Sequence, residues 1–544
     1  MHMQFLGSAV NRARPYLPIA LVGAVAVAAS LTRLVDLGQP QLSRDEAASW
    51  YLSSRPLPNL LTQSAYETFP PLYPLLLKVW MLLFGESEAA VRSFSIAAWV
   101  GTVFVTYGFA RQAIGRWPGV LAALLVALSP AILENSIVAR MYTLEALFAT
   151  TAWWLTWRLI SDGESWSAAR RTTVALALAC AVAAQVWTMS LGLPSAGLQL
   201  FFGMACFVWL RTRAAGLACL CIFIGSLSLI PWLPNLVAVA SDKIPFWTSR
   251  PDLLSLAGTV GAWLVGALEG PWIVLAVLAA ALGVLGAVAL WLGKHPADPG
   301  QAGATSGRLL ALALSLAAGL VLLVWTYSQF RSIYDQRYLG SSFPAFAILI
   351  SAGAAASARW LRNRGRPGRL VPTAFALALT AGLTAPMLLG AAQSMDRFRS
   401  EQGVDPARQT VDELSLRVRP GDVVMTLNAQ SYFPLEYYLT RSGEAKRLGI
   451  ELYHWHRPTA AFFTGWRDID PTRVIDQEII DSKGWEDALH LSPGSHIWLV
   501  TLNNPGYEYP RFAPAQTGSL RILDSTILEE NGVTAEIWES IPNT

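Results

Sequence analysis

The sequence predicts a polytopic α-helical membrane protein, with about eleven transmembrane helices and a C-terminal α/β domain outside the membrane. Three observations predict this class. Of the 544 residues, 53% are hydrophobic and 14% are charged, whereas soluble domains carry about a quarter charged residues. Apolar windows of about 17 to 25 residues recur along the chain, which is the length that a helix needs to cross the hydrocarbon of a bilayer. The composition then changes after residue 392.

The predicted spans also define an orientation. They lie near residues 17–35, 89–110, 118–134, 141–160, 172–192, 195–211, 214–235, 271–293, 309–328, 339–358 and 370–392. If the N-terminus is cytoplasmic, the segments on that side hold sixteen basic and three acidic residues, as the positive-inside rule requires. We therefore expect a multi-pass protein of the plasma membrane, in a bacterium the inner membrane, with its C-terminus outside.

The chain divides into two predicted domains. Residues 1–392 carry a net charge of +11 and form the membrane domain, which includes a long first outer loop at 36–88. Residues 393–544 carry a net charge of −8 and form the extracytoplasmic domain. In this second domain, helical patterns at "TVDELSLRV" and "FPLEYYLTR" alternate with strand patterns at 421–428 and 495–503, which predicts an α/β fold.

Several classes of site are disfavoured by the sequence. The four cysteines fall in predicted spans, so no disulfide framework is indicated. We find no glycine-rich phosphate loop, no His-x-x-x-His pair and no internal repeat of the kind found in transporters built from inverted halves. We expect membrane lipids among the partners and no nucleic acid.

The chemistry is therefore sought in four outer segments. The first is the loop at 36–88, which begins with "LSRDEAASW" and is too long for a simple connector. The others are "ENSIVARMYTLE" (134–145), "SDKIPFWTSRPD" (241–252) and "RSIYDQRYLGSSFP" (331–344). Each of these three places Arg or Lys near Tyr or Trp.

These segments also carry a family resemblance. An acidic pair after the first span, "PPLYPLLLKVW" followed by "LFGESEAAVR", then "ARMYTL" and "RYLGSSFPAFAIL", resemble the GT-C superfamily over about residues 15–390. The nearest pattern is that of the protein O-mannosyltransferase-like and aminoarabinose-transferase-like glycosyltransferases. Phe69, where these relatives often have His, and Glu145, at a usually apolar position, depart from it. The resemblance implies transfer of a sugar from a polyprenyl-phosphate carrier to a glycolipid, glycan or protein acceptor at the outer membrane face.

The first loop supplies the predicted base. An acceptor hydroxyl must lose its proton as it attacks an anomeric carbon, so a carboxylate within hydrogen-bond reach is a plausible general base. We predict Asp45 for this role, with Glu46 beside it as a second catalytic carboxylate. Glu67 and Tyr142 are the predicted substrate-binding residues.

The leaving group sets the other requirement. A lipid phosphate gains negative charge as the glycosidic bond breaks, and fixed cationic or hydroxyl donors lower that barrier. The predicted donor-phosphate ligands are Arg140, Arg337, Tyr338, Lys243 and Arg250.

Each prediction has a structural alternative. An Asp-Glu pair after a span is often a helix cap, and the arginines could snorkel to lipid headgroups. Glu67 could bind acceptor, sugar or a metal, or pair with Lys78. The histidines of "YHWHR" (453–457) are more often surface or core residues than metal ligands, so no metal site is predicted, although a divalent metal stays open as a cofactor.

Two other protein classes stay open at this stage. A transporter should place its ionisable residues mid-span near broken helices, whereas here they cluster in outer segments. A surface-glycan polymerase or ligase, or a non-enzymatic assembly factor, would share the topology.

Overall fold

A computed structural model of the chain describes residues 16–67, 69–241, 248–266, 272–293, 304–364, 370–401, 406–456, 469–503, 520–530 and 533–542. Two compact units are present. The helical unit comprises Met1–Val35, Arg92–Leu233 and Phe246–Asp396. The sheet unit comprises Asp36–Val91, Pro234–Pro245 and Arg397–Thr544.

The described elements are as follows. The α-helices are α1 (Leu17–Leu34), α2 (Arg44–Ser54), α3 (Leu57–Ser64), α4 (Leu72–Phe84), α5 (Glu88–Ile114), α6 (Arg116–Leu128), α7 (Pro130–Ser136), α8 (Tyr142–Asp162), α9 (Ala168–Thr188), α10 (Gly192–Leu210), α11 (Arg213–Leu227), α12 (Leu233–Ser241), α13 (Leu253–Leu264), α14 (Trp272–Trp291), α15 (Ala304–Tyr327), α16 (Phe343–Arg364), α17 (Leu370–Glu401), α18 (Ala407–Arg417), α19 (Ala429–Ser442), α20 (Glu444–Leu448) and α21 (Gln477–Leu489). The strands are β1 (Val423–Thr426), β2 (Glu451–His456), β3 (Val474–Asp476), β4 (Ile497–Asn503), β5 (Leu520–Glu530) and β6 (Val533–Pro542). Short 3-10 helices lie at Gly163–Ser165, Ile230–Trp232, Gln336–Ser342 and Pro471–Arg473.

The membrane prediction is confirmed by the helices. Within the described residues, nine helices are long and apolar enough to cross a bilayer, or ten if the bent pair α6 and α7 is one span. The predicted span at 141–160 forms the 21-residue helix α8 but is not among them, because Glu145 and Arg158 lower its hydropathy. The predicted orientation stays a prediction.

Helices α14 and α16 approach each other at two glycines. A Cβ on Gly286 would overlap the carbonyl oxygen of Leu349, and a Cβ on Gly353 would overlap that of Leu282. Small residues at such crossings let backbones pack closely where no hydrophobic effect drives helices together. Hydropathy alone therefore predicts these two helices but not their pairing.

The C-terminal α/β prediction is confirmed by a six-stranded sheet of order β3-β2-β1-β4-β6-β5. Strands β3, β2, β1 and β4 run parallel, and β6 and β5 continue the sheet antiparallel. Because side chains alternate along a strand, Val423, Met425 and Leu427 share one hydrophobic core with Trp485 of α21. The four segments predicted from the sequence correspond to α18, β1, α19 and β4.

The sheet unit contains the first outer loop as well. Helices α2, α3 and α4 belong to it, whereas the sequence grouped this loop with the membrane domain. The physical reason lies in α2. Its residues Trp50 and Tyr51 are 2% and 0% exposed, and the Tyr51 ring lies 5.2 Å from that of Phe433 in α19.

Candidate functional site

Two of the predicted outer segments meet in the helical unit. The side-chain amide of Asn135 donates to the backbone carbonyl of Arg337 at 3.1 Å, which joins the second segment to the fourth. The rings of Tyr142 and Tyr338 also meet, with centroids 5.8 Å apart. Residues about 200 positions apart in the chain are thus held together by both a hydrogen bond and an aromatic contact.

A polar cavity of about 360 Å³ opens at this junction. Its volume is in the usual range for small-molecule sites. Carboxylates, amides, hydroxyls and one guanidinium line it, and groups of these kinds hydrogen-bond to sugar hydroxyls and to phosphate oxygens. The lining residues are Ala131, Glu134, Asn135, Ser255, Tyr334, Asp335, Gln336 and Arg337.

Among the predicted phosphate ligands that the structure describes, Arg337 is the one that lines this cavity. Its guanidinium pairs with Asp335, with Nη2 at 3.1 Å from Oδ2 and Nε at 3.2 Å from Oδ1. Asp335 also caps the 3-10 helix by accepting from the backbone N–H of Arg337 at 2.8 Å. The Arg337 side chain is 46% exposed and that of Asp335 is 15% exposed, so the guanidinium is oriented but accessible.

Sequence reasoning missed several cavity residues. One is Glu134, which accepts a hydrogen bond from the Ser394 hydroxyl at 2.7 Å. Another is Asp335, which lies beside the predicted ligand Arg337 in the cavity wall. Glu134 is the first residue of the segment "ENSIVARMYTLE", so its position in a candidate outer segment is the sequence feature that could have predicted it. Ser255 in α13 carried no comparable signal.

Tyr334 adds a buried hydroxyl to the cavity wall. Its phenol oxygen lies 2.6 Å from the Thr259 hydroxyl and donates to the Ser255 carbonyl at 3.3 Å. Burial raises the pKa of Tyr334, while the Thr259 hydroxyl lowers it. The phenol therefore stays neutral at physiological pH and is available as a hydrogen-bonding group.

The third outer segment contacts the fourth. Arg250 donates from Nε to the side-chain oxygen of Gln329 at 3.1 Å, and the Ser332 hydroxyl donates to the Ser249 carbonyl at 2.6 Å. Arg250 is thus not among the cavity residues. Lys243 lies outside the described residues.

Arg140 lies close to the same junction through its backbone. Its carbonyl accepts from the Ser95 hydroxyl at 3.1 Å, and its side chain is half-buried. It stands two residues before Tyr142, whose ring contacts Tyr338. Its phosphate role stays a prediction.

In the sheet unit, Asp45 and Glu46 occupy the first turn of α2 and differ in role. Glu46 is fully buried and closes a capping box with Ser43, accepting from its N–H at 3.0 Å and from its hydroxyl at 3.1 Å. Asp45 is 45% exposed, with one oxygen 3.7 Å from Nη1 of Arg44. The geometry makes Glu46 a helix cap and leaves Asp45 as the accessible carboxylate.

Glu67 follows α3 and is half-buried. Its backbone N–H donates to the Ser64 carbonyl at 3.2 Å. Lys78, the alternative partner considered from the sequence, instead donates to the Ser53 and Arg55 carbonyls at 3.1 and 2.7 Å. A cation at these carbonyls satisfies the C-terminal end of α2.

Helix α2 is anchored within its unit. Arg55 lies 3.2 Å from Glu436 of α19, and its guanidinium stacks 3.9 Å from the Tyr51 ring centroid. Burial raises the pKa of Glu436, and the charge of Arg55 opposes that rise. On the same face, Trp50 meets Tyr437 edge to face at 4.9 Å. These contacts fix the helix that presents Asp45.

The described part of the chain contains no cluster of three or more His, Cys, Asp or Glu suited to a metal ion. His454, considered from the sequence, is 4% exposed in β2. Its Nδ1 lies 3.3 Å from the Thr426 hydroxyl. The cysteines in the described residues are free thiols.

Comparisons with known proteins bear on this architecture. Residues 68–232 match the family model of the dolichyl-phosphate-mannose-protein mannosyltransferases. The fold is similar to that of ArnT from Cupriavidus metallidurans in the apo state, with a TM-score of 0.63 and 14% identity, over 95% of this chain and 97% of that chain. This chain has the GT-C fold. The resemblance predicted from the sequence is confirmed.

Two further structures share the GT-C fold. ArnT from the same organism bound to undecaprenyl phosphate matches with a TM-score of 0.59 and 15% identity, over 95% of this chain and 97% of that chain. The apo oligosaccharyltransferase of Archaeoglobus fulgidus matches with a TM-score of 0.50 and 14% identity, over 89% and 69%. No curated protein matched the sequence. The matched family and these neighbours are glycosyltransferases, which bears out the predicted enzyme class.

Proposed function

We propose that this GT-C chain moves a sugar from a polyprenyl-phosphate carrier to a glycolipid, glycan or protein acceptor at the outer face of the membrane, in a bacterium the inner membrane. The observation that carries the proposal is the polar cavity at Arg337, which combines sugar-binding and phosphate-binding groups. The neighbour that binds undecaprenyl phosphate supports the class of donor.

Arg337 is assigned to the donor phosphate. A guanidinium presents paired N–H donors that match phosphate oxygens, and Asp335 orients it at 3.1 Å. Donors fixed before the reaction stabilise the charge that develops on the leaving phosphate, an effect commonly worth about 3 kcal/mol per donor. Arg140 and Tyr338 are assigned to the same group.

Asp45 is assigned the role of general base. It lies in the first turn of α2, where the helix dipole favours negative charge. The burial of Glu46 in the capping box supports Asp45 as the acting member of the pair.

The proposed reaction proceeds with inversion. The acceptor oxygen attacks the anomeric carbon while its proton passes to the Asp45 carboxylate. The bond between that carbon and the phosphate oxygen breaks, and its electron pair leaves with the polyprenyl phosphate.

Asp45→Asn tests the assignment. The amide keeps the size of the side chain but cannot accept the proton, so turnover should fall by about 10² to 10⁴. Donor binding should change little. The measurement is transfer by purified protein from a polyprenyl-phosphate sugar, with donor affinity determined alongside.

Asp36→Asn is the matched control. Asp36 is also an exposed carboxylate of the first loop, 3.5 Å from Arg399, and its φ of 60° suits Asn equally. Its turnover should stay near wild type. Near-normal turnover in Asp45→Asn would remove Asp45 from the mechanism and move the assignment to Glu67.

A further inference from the structure

Helix α1 contains a buried charge that the proposed mechanism does not use. Arg33 is 2% exposed and lies in the last turn of this predicted span. An arginine inside a membrane protein is costly unless its charge is satisfied. No carboxylate pairs with it among the described residues, so neutral groups must accept its hydrogen bonds.

The helix beside Arg33 is broken. Helices α6 and α7 meet at a bend of 59°, where Pro130 begins α7 and has no N–H to continue the hydrogen-bond ladder. The last carbonyls of α6 therefore need donors from outside their own helix. A helix that is interrupted in this way keeps a single bend angle only if both of its segments have fixed contacts.

Arg33 bonds to both halves of this broken helix. Its Nη2 donates to the Ala127 carbonyl of α6 at 3.1 Å, and its Nε donates to the Ser136 hydroxyl of α7 at 2.9 Å. Nη1 donates to its own helix at Ala29, 3.0 Å away. The guanidinium also lies 3.9 Å from the Trp99 ring centroid.

The half held through Ser136 carries part of the cavity. Glu134 and Asn135 immediately precede Ser136 and line the cavity. Asn135 in turn donates to the Arg337 carbonyl at 3.1 Å. The orientation of α7 therefore sets the position of two cavity side chains and of the segment that carries the predicted phosphate ligand.

We propose that Arg33 is a positioning residue that fixes the angle between α6 and α7 and so places Glu134, Asn135 and Arg337 for donor binding. Its charge lies at the C-terminal end of α6, where the helix dipole favours a cation. Its planar fork reaches Ala127, Ser136 and Ala29 from three different nitrogen atoms, a spread that the single nitrogen of an ammonium does not offer. The donor-binding part of this inference rests on the proposed function.

The test uses two variants of the full-length chain and one control. Arg33→Lys keeps the charge but not the fork, and Ser136→Ala removes the acceptor on α7 alone. Ser30→Ala is the control, because within the part of the chain that the structure describes that hydroxyl bonds inside α1, to the Ala26 carbonyl at 2.7 Å. Each protein is purified in detergent, and its melting temperature is recorded.

Two readouts separate positioning from general stability. Hydrogen exchange of peptides covering residues 130–141 should rise in Arg33→Lys and in Ser136→Ala, while peptides from the sheet unit stay unchanged. Binding of undecaprenyl phosphate should weaken by about 10-fold in each, with a melting temperature close to wild type. The double variant should lose no more than Arg33→Lys alone, because the contact that Ser136→Ala removes is one of those that Arg33→Lys already breaks.

The outcomes decide the inference separately from the proposed function. Hydrogen exchange at wild-type rates in residues 130–141 of both variants would overturn the positioning role. Donor affinities that fall only in proportion to the melting temperature would also overturn it. Wild-type protein that binds no undecaprenyl phosphate would contradict the proposed donor, and the exchange data would still decide whether Arg33 holds the broken helix.

Discussion

Single side chains in the helical unit show how an equal charge acquires different roles. Arg337 lines the cavity and is oriented by Asp335 at 3.1 Å. Arg250 bonds to Gln329, two residues before the fourth outer segment. Arg33 is buried against backbone carbonyls and a hydroxyl. Neighbouring acceptors, and not the charge itself, decide which arginine can meet a ligand.

Arg337 and its partner give a paired prediction. Arg337→Ala should weaken binding of undecaprenyl phosphate by about 10- to 100-fold, since hydrogen bonds to charged groups are worth about 1.5 to 3 kcal/mol. Transfer should slow as well. Asp335→Asn keeps an acceptor for the Arg337 backbone N–H but removes a negative charge from the cavity, so affinity should be kept or increased.

Isothermal titration or fluorescence binding on both purified variants measures this difference. Wild-type affinity in Arg337→Ala would remove Arg337 as a phosphate ligand.

The helix α2 illustrates what an element adds to its residues. The pattern Ser43-x-x-Glu46 is a capping-box signature, so the role of Glu46 could have been predicted from the sequence. The helix packs on α19 through Tyr51, which also accepts from the Asp470 N–H at 2.9 Å. Tyr438 of α19 accepts from the Leu42 N–H at 2.9 Å. Buried phenols therefore hold the helix that presents Asp45.

These phenols predict alkaline lability of the sheet unit. Burial raises the pKa of Tyr51, Tyr432, Tyr437 and Tyr438. The unfolded chain releases these phenolic protons near pH 10, whereas the folded chain releases them only at higher pH. The free energy that the neutral buried phenols contribute to folding is therefore fully present below about pH 10 and is lost as the pH rises above it. We expect the melting temperature to fall as the pH rises past 10, with a shallower fall in Tyr437→Phe.

Tryptophan fluorescence between pH 8 and pH 11.5 would follow this unfolding. Tyr66→Phe removes an exposed phenol of the same unit. In this variant the melting temperature should fall with rising pH as steeply as in the wild type. If the melting temperature of Tyr437→Phe fell with pH as steeply as that of the wild type, the prediction would be contradicted.

At the scale of the whole molecule, the sheet unit is built from separate segments of the chain. Its segments Asp36–Val91 and Arg397–Thr544 are far apart in the chain, yet Arg55 pairs with Glu436 and Arg408 with Glu88 at 3.2 and 2.9 Å. Deletion of the C-terminal segment would be the direct test of a role of this segment in acceptor recognition. Because the deletion also removes the partners of the first loop, it cannot separate acceptor binding from the placement of Asp45.

Deletion of residues 397–544 should therefore affect the loop itself. In an inserted, truncated chain we expect residues 36–91 to become sensitive to protease, since Trp50, Tyr51 and Leu42 lose the surface that buries them. The full-length protein in the same membranes is the control. Equal resistance of the loop in both would show that it folds without the C-terminal segment.

The orientation of the chain is a separate prediction. The distribution of Lys and Arg places the C-terminus outside the membrane. An alkaline phosphatase fused after residue 544 should be active, because that enzyme folds only outside the cytoplasm. Activity of a cytoplasm-only reporter at the same position would reverse the predicted topology.

The sequence by itself determined the class of the molecule. Apolar windows predict spans because helix length and bilayer thickness are fixed quantities, and local alternation predicts β1, α19 and β4 because side-chain periodicity is a property of each element. It also predicts Arg337 and Asp45 as site residues, because charged residues that flank spans stand out against an apolar background.

Only the tertiary structure decided which side chains from distant parts of the chain meet. Glu134 joins the cavity with Asp335, and Arg33 reaches Ser136, across 103 positions of the chain. Such contacts depend on helix crossings and on the bend between α6 and α7, which no local pattern encodes. The packing of the first loop on the C-terminal segment is of the same kind, because buried side chains of α2 contact aromatic side chains of α19.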